Sequence, residues 1–299
     1  MKSIFIDCNH QLEPVWKSVH GAGDPPVTVN TTPFKSEDLP RLLQGYDVVL
    51  DDHSYMPTPV IAQCNGLKHI VFLGTGAASY MNIAELNELG VSVHTIKGYG
   101  DTAVAEHTIA LMFDCAREIA RMDRTLRAGT WKPQEGMQLL GKTLGIIGLG
   151  GIGAETARIA SGMGMKVIAW NRTKRTDSAA ELVELDDLLA RSDVVSLNLV
   201  LNDETRGFLN AERIARLKTG AILVNTARGA LVDEDAMLAA LRSGHIRHAG
   251  LDVFHSEPLK ADHPLTRMDN VTLSAHSAFR TREASETLLR RAIDIVKSL

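Results

Sequence analysis

The stretch "TLGIIGLGGIGAETARIA", residues 143–160, combines an apolar run, a glycine-rich turn and a helix-forming segment. The run Thr143–Ile147 has the uninterrupted apolar character of a buried parallel strand. The glycines that follow stand in the order G-x-G-x-x-G, at Gly148, Gly150 and Gly153. The chain has 24 glycines, so the pattern alone is weak, but a strand before it and a helix after it make it specific. We therefore expect a strand–turn–helix unit that binds a dinucleotide.

Each glycine of such a turn has its own physical role. The first permits the tight turn, the second lets a pyrophosphate approach the backbone, and the third lets the helix pack closely on the strand. The start of the helix then directs backbone N–H groups at the phosphates. The predicted pyrophosphate contacts are Gly148, Gly150, Gly151, Ile152 and Gly153. A tight turn without a ligand is the alternative.

The next strand ends before Asn171, where a dinucleotide-binding fold usually carries an acid. That acid accepts hydrogen bonds from the adenosine ribose and repels a 2′-phosphate. Asn171 and Thr173 are neutral here, and three cations stand beside them, at Arg172, Lys174 and Arg175. An arginine fork can donate two parallel hydrogen bonds to a phosphate. We therefore expect Asn171, Arg172 and Thr173 to surround the ribose and NADP(H) to be preferred, with NAD(H) and a simple solvated turn left open.

Strand and helix patterns alternate over the whole chain. The strands predicted in the first part are Ile4–Ile6, Val27–Val29, Val48–Leu50, His69–Leu73 and Val91–Val93. Those predicted in the second part are Thr143–Ile147, Lys166–Trp170, Asp193–Leu199, Ala221–Asn225, Gly250–Val253 and Val271–Ser274. Such alternation predicts an α/β fold with two doubly wound parallel sheets. A stretch without Gly or Pro, Asp101–Ala128, predicts one long helix between them.

Composition limits the kinds of partner that the chain can have. A net charge of −4 at pH 7 gives no overall attraction to nucleic acid or to an anionic membrane. No apolar run approaches the ~18 residues that would span a bilayer. The three cysteines, Cys8, Cys64 and Cys115, are far apart and form no metal-binding pattern. We expect a cytoplasmic protein with no metal ion, nucleic-acid partner or membrane segment.

Three later segments place polar side chains where predicted strands end. One strand is followed by Thr226 and Arg228, another by Glu257, and a third by His276. Carboxyl ends of parallel strands share one edge of the sheet, which is also the edge of the glycine-rich turn. Arginine can hold a carboxylate and polarise a carbonyl, histidine can donate a proton, and glutamate favours the imidazolium form. The set predicts reduction of a carbonyl, although each residue alone also has an ordinary structural explanation.

Taken together, the segments resemble the D-isomer-specific 2-hydroxyacid dehydrogenase family. They are "TAVAEHTIALM", "LGKTLGIIGLGGIG", "NDETRGFLN", "LVNTARGALVDEDAMLAAL", "GLDVFHSEPL" and "HPLTRMDNVTLSAH", in family order. The resemblance covers essentially the whole chain. It implies a Rossmann-type cofactor domain over residues 98–280 and a flavodoxin-like substrate domain over residues 1–97, completed by a C-terminal helix over 281–299. It also implies a homodimer built largely through the cofactor domain.

The resemblance also implies roles for single residues. Arg228 matches the arginine that orients the substrate, Glu257 the glutamate paired with the catalytic histidine, and His276 that histidine. Asp252 matches an aspartate that contacts the nicotinamide carboxamide, and Thr226 lies at the cofactor edge. The family's substrate carboxylate rests on backbone N–H groups of a glycine-containing loop, and the residues at that place are Gly74, Thr75 and Gly76.

The resulting hypothesis is an NADP(H)-preferring reductase of a short 2-oxo acid, of the glyoxylate or hydroxypyruvate type. Two departures from the family pattern leave the substrate open, at Ala78–Ser79 after the glycine-containing loop and at Phe279–Arg280 after the histidine. A nucleotide-sensing binding protein, as in corepressors that resemble this family, is one alternative. A phosphite or formate dehydrogenase is the other, although formate enzymes place glutamine near the catalytic histidine, so Glu257 argues against a formate enzyme.

Overall fold

The computed structural model of the chain describes residues 1–173 and 179–299. Two of the three cations beside Asn171 and Thr173 lie outside the described residues, namely Lys174 and Arg175. The chain separates into two compact units, residues 1–100 with 280–299, and residues 101–279.

Both units are built from alternating strands and helices. The strands are β1 Ser3–Phe5, β2 Val27–Val29, β3 Val48–Asp51, β4 His69–Phe72, β5 Ser92–Thr95, β6 Thr143–Ile147, β7 Lys166–Trp170, β8 Glu181–Leu182, β9 Val194–Leu197, β10 Ala221–Asn225, β11 Ile246–Leu251 and β12 Val271–Leu273. The helices are α1 Leu12–Val19, α2 Leu39–Leu42, α3 Thr58–Ile61, α4 Ile83–Glu88, α5 Asp101–Arg117, α6 Ile119–Arg127, α7 Gly151–Gly162, α8 Leu185–Arg191, α9 Ala211–Ala215, α10 Glu234–Ser243 and α11 Arg282–Ser298.

The first unit is a five-stranded parallel sheet in the order β2-β1-β3-β4-β5. Successive strand residues face opposite sides, so the sheet has a core on each face. Ile70 belongs to one core and Val71 to the other. The second of these cores also contains Leu289 and Ile293 of α11, so the last helix of the chain completes the first unit.

The second unit is a seven-stranded parallel sheet in the order β12-β11-β10-β9-β6-β7-β8. Ile147 and Ile146 of β6 enter opposite cores, which explains the uninterrupted apolar run. The glycine-rich turn follows β6, and β7 and β9 lie on either side of that strand. A ligand at the end of β6 is therefore flanked by the segments that follow β7 and β9.

The single long helix predicted over Asp101–Ala128 is wrong, because the chain forms two helices that meet at Glu118. Glu118 has a φ of 54°, in the left-handed region that a continuous helix does not contain. One carboxylate oxygen of Asp114 accepts a hydrogen bond from the Ala120 N–H at 2.7 Å. That side-chain bond replaces a helical bond and lets the second helix begin in a new direction.

Two strands of the second sheet also differ from the sequence prediction. β11 begins at Ile246 rather than Gly250, since His248 is buried within the strand and its Nε2 lies 3.0 Å from the Thr272 hydroxyl. The short edge strand Glu181–Leu182 was not predicted, because it contains no apolar run. None of the described helices is long and apolar enough to cross a bilayer.

The first sheet buries a carboxyl group at its centre. Asp51, the last residue of β3, is fully buried and accepts a hydrogen bond from the Ser54 N–H at 2.9 Å. Its other oxygen, Oδ2, is buried and meets no donor among the described residues. Burial and the neighbouring Asp7 carboxyl raise the pKa of Asp51 well above its ordinary value. Its surroundings therefore favour the protonated form of Asp51 over the carboxylate.

We expect Asp51→Asn to stabilise the fold, and to do so more as the pH rises. The folded state keeps a proton that the unfolded state releases, so stability falls as the pH rises from the unfolded pKa through the folded pKa. Asparagine keeps the shape of the side chain and does not ionise, so the loss of stability at higher pH is removed. Thermal unfolding midpoints should converge below about pH 4, the ordinary pKa of Asp, and separate progressively as the pH rises above it. The exposed Asp262→Asn serves as the control, and an unchanged pH dependence in Asp51→Asn would contradict the assignment.

Candidate active site

The turn after β10 presents Arg228 through the buried side chain of Asn225. The Asn225 Nδ2 donates to the Arg228 carbonyl at 2.9 Å, and its Oδ1 accepts from the Ala227 N–H at 3.0 Å. Arg228 is half-buried and its Nη1 donates to the Ala227 carbonyl at 2.6 Å. The asparagine at the strand end thus fixes the backbone from which the arginine projects.

A glycine next to Arg228 brings this turn against the segment that carries the glutamate. A Cβ at Gly229 would lie 2.1 Å from the carbonyl carbon of Phe254 and 2.5 Å from the nitrogen of His255. Real Cβ atoms do not approach a backbone so closely, so only glycine fits without a shift. Glu257 lies three residues beyond Phe254 and accepts a hydrogen bond from the Phe254 N–H at 2.9 Å.

Glu257 and His276 form a direct pair, with 2.6 Å between Oε2 and Nδ1. Partial burial raises the pKa of the Glu257 carboxyl, but hydrogen bonds from His276 and the Phe254 N–H, with the charge of Arg228, outweigh it. The net pKa of Glu257 is therefore lowered. The glutamate remains a carboxylate at neutral pH, so its Oε2 can accept a hydrogen bond from Nδ1 of the imidazole. The side chains are about one-third exposed, at 35% and 30%, so a small molecule can reach the pair.

His276 has an unusual backbone that Asp252 holds in place. Its φ of 48° lies in the left-handed region, which side chains other than glycine rarely adopt. The His276 N–H donates to the Asp252 carbonyl at 2.8 Å. The Asp252 carboxylate accepts from the Ser277 and Ala278 N–H groups at 3.0 and 2.9 Å. These bonds fix the backbone on both sides of the histidine.

Two residues that the sequence analysis did not single out as functional complete this arrangement. The Ser274 hydroxyl donates to Asp252 Oδ1 at 2.5 Å, and His107 Nε2 lies 2.9 Å from that hydroxyl oxygen. Burial raises the pKa of Asp252, but the bonds from His107, Ser274 and the two N–H groups lower it overall. Asp252 is therefore a buried carboxylate with several donors. Its predicted contact with a nicotinamide carboxamide stays a prediction.

The glycine-rich turn has the shape that a pyrophosphate requires. Gly148 has a φ of 98°, and a Cβ there would lie 2.6 Å from the Asn198 carbonyl oxygen. A Cβ at Gly153 would lie 2.2 Å from the Gly148 carbonyl oxygen, so the helix packs as closely as predicted. A Cβ at Gly150 would meet nothing within 4 Å, so the turn is open there, at the residue before α7.

A buried polar atom beside the turn also fits a bound dinucleotide. The Asn198 Oδ1, just after β9, is buried and has no hydrogen-bond partner among the described residues. An unpaired buried acceptor is unfavourable unless a ligand or water supplies a donor. A Cβ at Gly151 would lie 1.8 Å from a carboxylate oxygen of Asp101, so the start of α7 packs closely there. The pyrophosphate contacts at Gly148, Gly150, Gly151, Ile152 and Gly153 stay a prediction.

The residues predicted around the ribose make specific contacts. The Asn171 Oδ1 accepts from the Leu149 N–H at 3.0 Å, and its Nδ2 donates to the Thr173 carbonyl at 2.6 Å. Asn171 thus ties the end of β7 to the glycine-rich turn. Arg172 forms an ion pair with Glu204, with 2.7 Å between Nη1 and Oε2. No local sequence pattern indicates this pairing, because the two residues are 32 positions apart.

The remaining predicted site residues lie at other strand ends. The Thr226 hydroxyl is 2.8 Å from the Thr108 hydroxyl, which itself donates to the backbone of α5, so Thr226 is anchored against that helix. In the first unit, Gly74, Thr75 and Gly76 form the turn between β4 and a short 3-10 helix, and Thr75 is exposed.

Comparison with known proteins places these features in one family. The model of the "D-isomer specific 2-hydroxyacid dehydrogenase, NAD binding domain" matches residues 109–278, more than half of the chain. The chain belongs to the D-isomer specific 2-hydroxyacid dehydrogenase family. The family predicted from the motifs and the fold class of two parallel-sheet α/β domains are therefore confirmed.

Two relatives and one solved structure illustrate the likeness. A hydroxypyruvate reductase from Thermotoga maritima is 37% identical over 279 residues, which cover 91% of this chain and 90% of that protein. Another, from Blautia hydrogenotrophica, is 32% identical over 310 residues, covering 98% and 95%. An acyclic imino acid reductase, solved in complex with NADPH and D-Arg, has a TM-score of 0.87 at 29% identity and covers 100% and 96%.

This dehydrogenase is accordingly an oxidoreductase of the D-2-hydroxyacid kind, with an NAD-binding domain and a nicotinamide cofactor. Its substrates are small hydroxy or oxo acids, as in the family. The described contacts bring Glu257 and His276 together directly, and the charge of Arg228 helps to lower the pKa of Glu257.

We expect Gly229→Ala to lower the dehydrogenase activity strongly, because the new Cβ would push the Arg228 turn away from the Phe254 backbone. A displacement of about 1 Å at a reacting group can cost about 10²-fold in rate. Steady-state reduction of glyoxylate and hydroxypyruvate would measure the loss. Gly162→Ala is the matched control, since a Cβ there meets nothing within 4 Å. Equal activity in the two variants would show that the close approach is not required.

Proposed function

We propose that this dehydrogenase is a reductase of short 2-oxo acids, of the glyoxylate or hydroxypyruvate type, that prefers NADPH. The observation that carries the proposal is the 2.6 Å pair between Glu257 and His276, next to the turn that presents Arg228. This set supplies an anion-binding cation, a proton donor and its counter-charge. Relatives named hydroxypyruvate reductase support the same substrate type.

Each of the three side chains has one task in the proposed reaction. Arg228 holds the substrate carboxylate and polarises the adjacent carbonyl through its guanidinium N–H groups. His276, protonated at Nε2, donates a proton to the carbonyl oxygen, and Glu257 stabilises the imidazolium through Nδ1. The nicotinamide cofactor supplies the hydride when bound. In the oxidative direction, His276 takes the proton from the hydroxyl.

The two units are proposed to divide the work between substrate and cofactor. We assign residues 1–97 with 281–299 to the substrate domain, and residues 98–280 to the dinucleotide-binding domain. The backbone N–H groups at Gly74, Thr75 and Gly76 are proposed to bind the substrate carboxylate. Gly148, Gly150, Gly151, Ile152 and Gly153 are proposed to hold the pyrophosphate, with Thr226 and Asp252 on the nicotinamide side.

The NADPH preference rests on the segment after β7. Asn171 carries no charge to repel a 2′-phosphate, and Arg172 supplies a guanidinium that is 77% exposed. The related imino acid reductase was solved with NADPH, so the scaffold accommodates this cofactor. Asn171 and Thr173 are proposed to complete the contacts around the adenosine ribose.

We also propose a homodimer that acts in the cytoplasm. The second unit exposes several large apolar side chains, among them Trp131 at 83%, Leu140 at 64% and Ile119 at 55%. Exposed apolar side chains of this size can be buried in a protein interface. All three cysteines are unpaired and buried, which suits a reducing compartment.

The proton-donor role predicts the behaviour of two variants. His276→Ala should lose about 10²- to 10⁴-fold in turnover, the usual contribution of general acid–base catalysis. Glu257→Gln should show an intermediate loss, because it keeps a hydrogen bond and removes the counter-charge. Initial rates of NADPH oxidation with glyoxylate and hydroxypyruvate would measure both losses.

Binding of NADPH, followed by its fluorescence, should be unchanged in both variants. Full turnover in His276→Ala would refute the role. No turnover by the unmodified chain, with intact cofactor binding, would instead favour a nucleotide-sensing protein.

The cofactor assignment predicts that Arg172→Ala weakens binding of NADPH about tenfold or more and leaves NADH nearly unchanged, because a charge-assisted bond to the 2′-phosphate is lost. Fluorescence titration with each nucleotide measures the two dissociation constants. Arg282→Ala is the matched control, since its side chain is 74% exposed and also pairs with a glutamate. An equal change for both nucleotides would remove Arg172 from the selection of the cofactor.

A further inference from the structure

The segment after β9 brings a carboxylate to the place where the segment after β7 lacks one. β7 and β9 lie on opposite sides of β6, so both segments border the glycine-rich turn. Glu204 belongs to the segment after β9, and its Oε2 lies 2.7 Å from Nη1 of Arg172. Arg172 directly follows Asn171, which is itself bonded to the turn. The ion pair therefore lies beside the predicted site of the adenosine ribose.

A hydrogen-bonded turn holds Glu204 in this position. The Thr205 N–H donates to Asn202 Oδ1 at 3.0 Å, and the Asn202 N–H donates to the Thr205 hydroxyl at 2.8 Å. The same hydroxyl donates to the Val200 carbonyl at 2.7 Å. Reciprocal bonds of this kind fix a local turn and limit the positions open to the residue inside it. Glu204 lies between these partners, so its backbone is anchored although its side chain is exposed.

The carboxylate opposes a 2′-phosphate in two ways. It occupies a donor of the guanidinium that we assign to the phosphate, and it adds a negative charge beside a group that carries about two negative charges at neutral pH. Both side chains are mostly exposed, at 77% and 74%, so water weakens the repulsion without removing it. NADH has no 2′-phosphate and avoids both effects.

We propose that Glu204 is a selectivity residue that limits the preference for NADPH and keeps NADH usable. The proposal rests on the proposed function, since it requires the adenosine ribose to bind beside Arg172. Glu204 supplies the carboxylate that the sequence lacks at Asn171, but from a different strand and already paired with the arginine. The ion pair thus reduces the difference in affinity between NADPH and NADH.

The test compares Glu204→Gln with the unmodified chain, using NADPH and NADH as probes and intrinsic or nucleotide fluorescence as the readout. We expect NADPH to bind roughly three- to tenfold more tightly, from the size of charge interactions in water, and NADH to change less than about twofold. In Glu204→Gln, inhibition by 2′,5′-ADP should become stronger, whereas inhibition by 5′-AMP should change little. Glu212→Gln is the control, because Glu212 is 71% exposed and pairs with Arg216, the residue that follows α9.

The outcomes separate this inference from the proposed function. Tighter binding of NADPH alone supports the role of Glu204. Unchanged binding of both nucleotides overturns it, and so does selective weakening of NADH, which would make Glu204 a direct ligand of the ribose hydroxyls. In either case, selective weakening of NADPH in Arg172→Ala keeps the proposed cofactor preference intact. If Arg172→Ala affects both nucleotides equally, the proposed preference itself fails.

Discussion

The buried carboxylate of Asp252 is the constraint on which the rest of the site depends. A left-handed conformation at a residue such as His276 costs about 1–3 kcal/mol, and it persists only where the surroundings impose it. Asp252 imposes it through the backbone, since it receives the N–H groups of Ser277 and Ala278 and its carbonyl receives that of His276. A buried charge also needs several donors of its own: the Ser274 hydroxyl donates to Asp252 Oδ1, and His107 Nε2 lies 3.5 Å from the same oxygen and 2.9 Å from that hydroxyl. One set of hydrogen bonds thus offsets both the desolvation of the carboxylate and the strain of the left-handed histidine backbone.

The rest of the site is assembled mainly by backbone proximity. Gly229 lets one turn touch the backbone of Phe254, whose N–H in turn holds Glu257 against His276. Gly148 and Gly153 do the same for the turn after β6, where a helix must start next to a strand end. In both places the absence of a Cβ lets two elements approach closely. That close approach determines where the side chains of the site lie.

This dependence explains which features could be predicted from the sequence. The glycine pattern and polar residues at strand ends are local signals, so they indicated the turn after β6 and the grouping of Arg228, Glu257 and His276, while the family resemblance implied the pairing of Glu257 with His276. The bond between His107 and Ser274 joins residues 167 positions apart, and the pair of Arg172 with Glu204 joins loops of different strands. No local pattern encodes such contacts. The break at Glu118 escaped prediction for a related reason, because a side-chain bond from Asp114 interrupts an otherwise helical composition.

Burial determines which contacts of the site are rigid and which can rearrange. The bonds around Asp252 are shielded from water, so removing one leaves a buried polar group unpaired, at a cost of about 1–3 kcal/mol. The pair of Arg172 with Glu204 is mostly exposed, and such pairs contribute about 0–1 kcal/mol. A ligand phosphate can therefore compete with Glu204 for the guanidinium, whereas no ligand can easily rearrange the loop of His276. If the adenosine ribose binds there as proposed, substitution of either residue would change cofactor choice at little cost to the fold and would leave the pair of Glu257 and His276 unchanged.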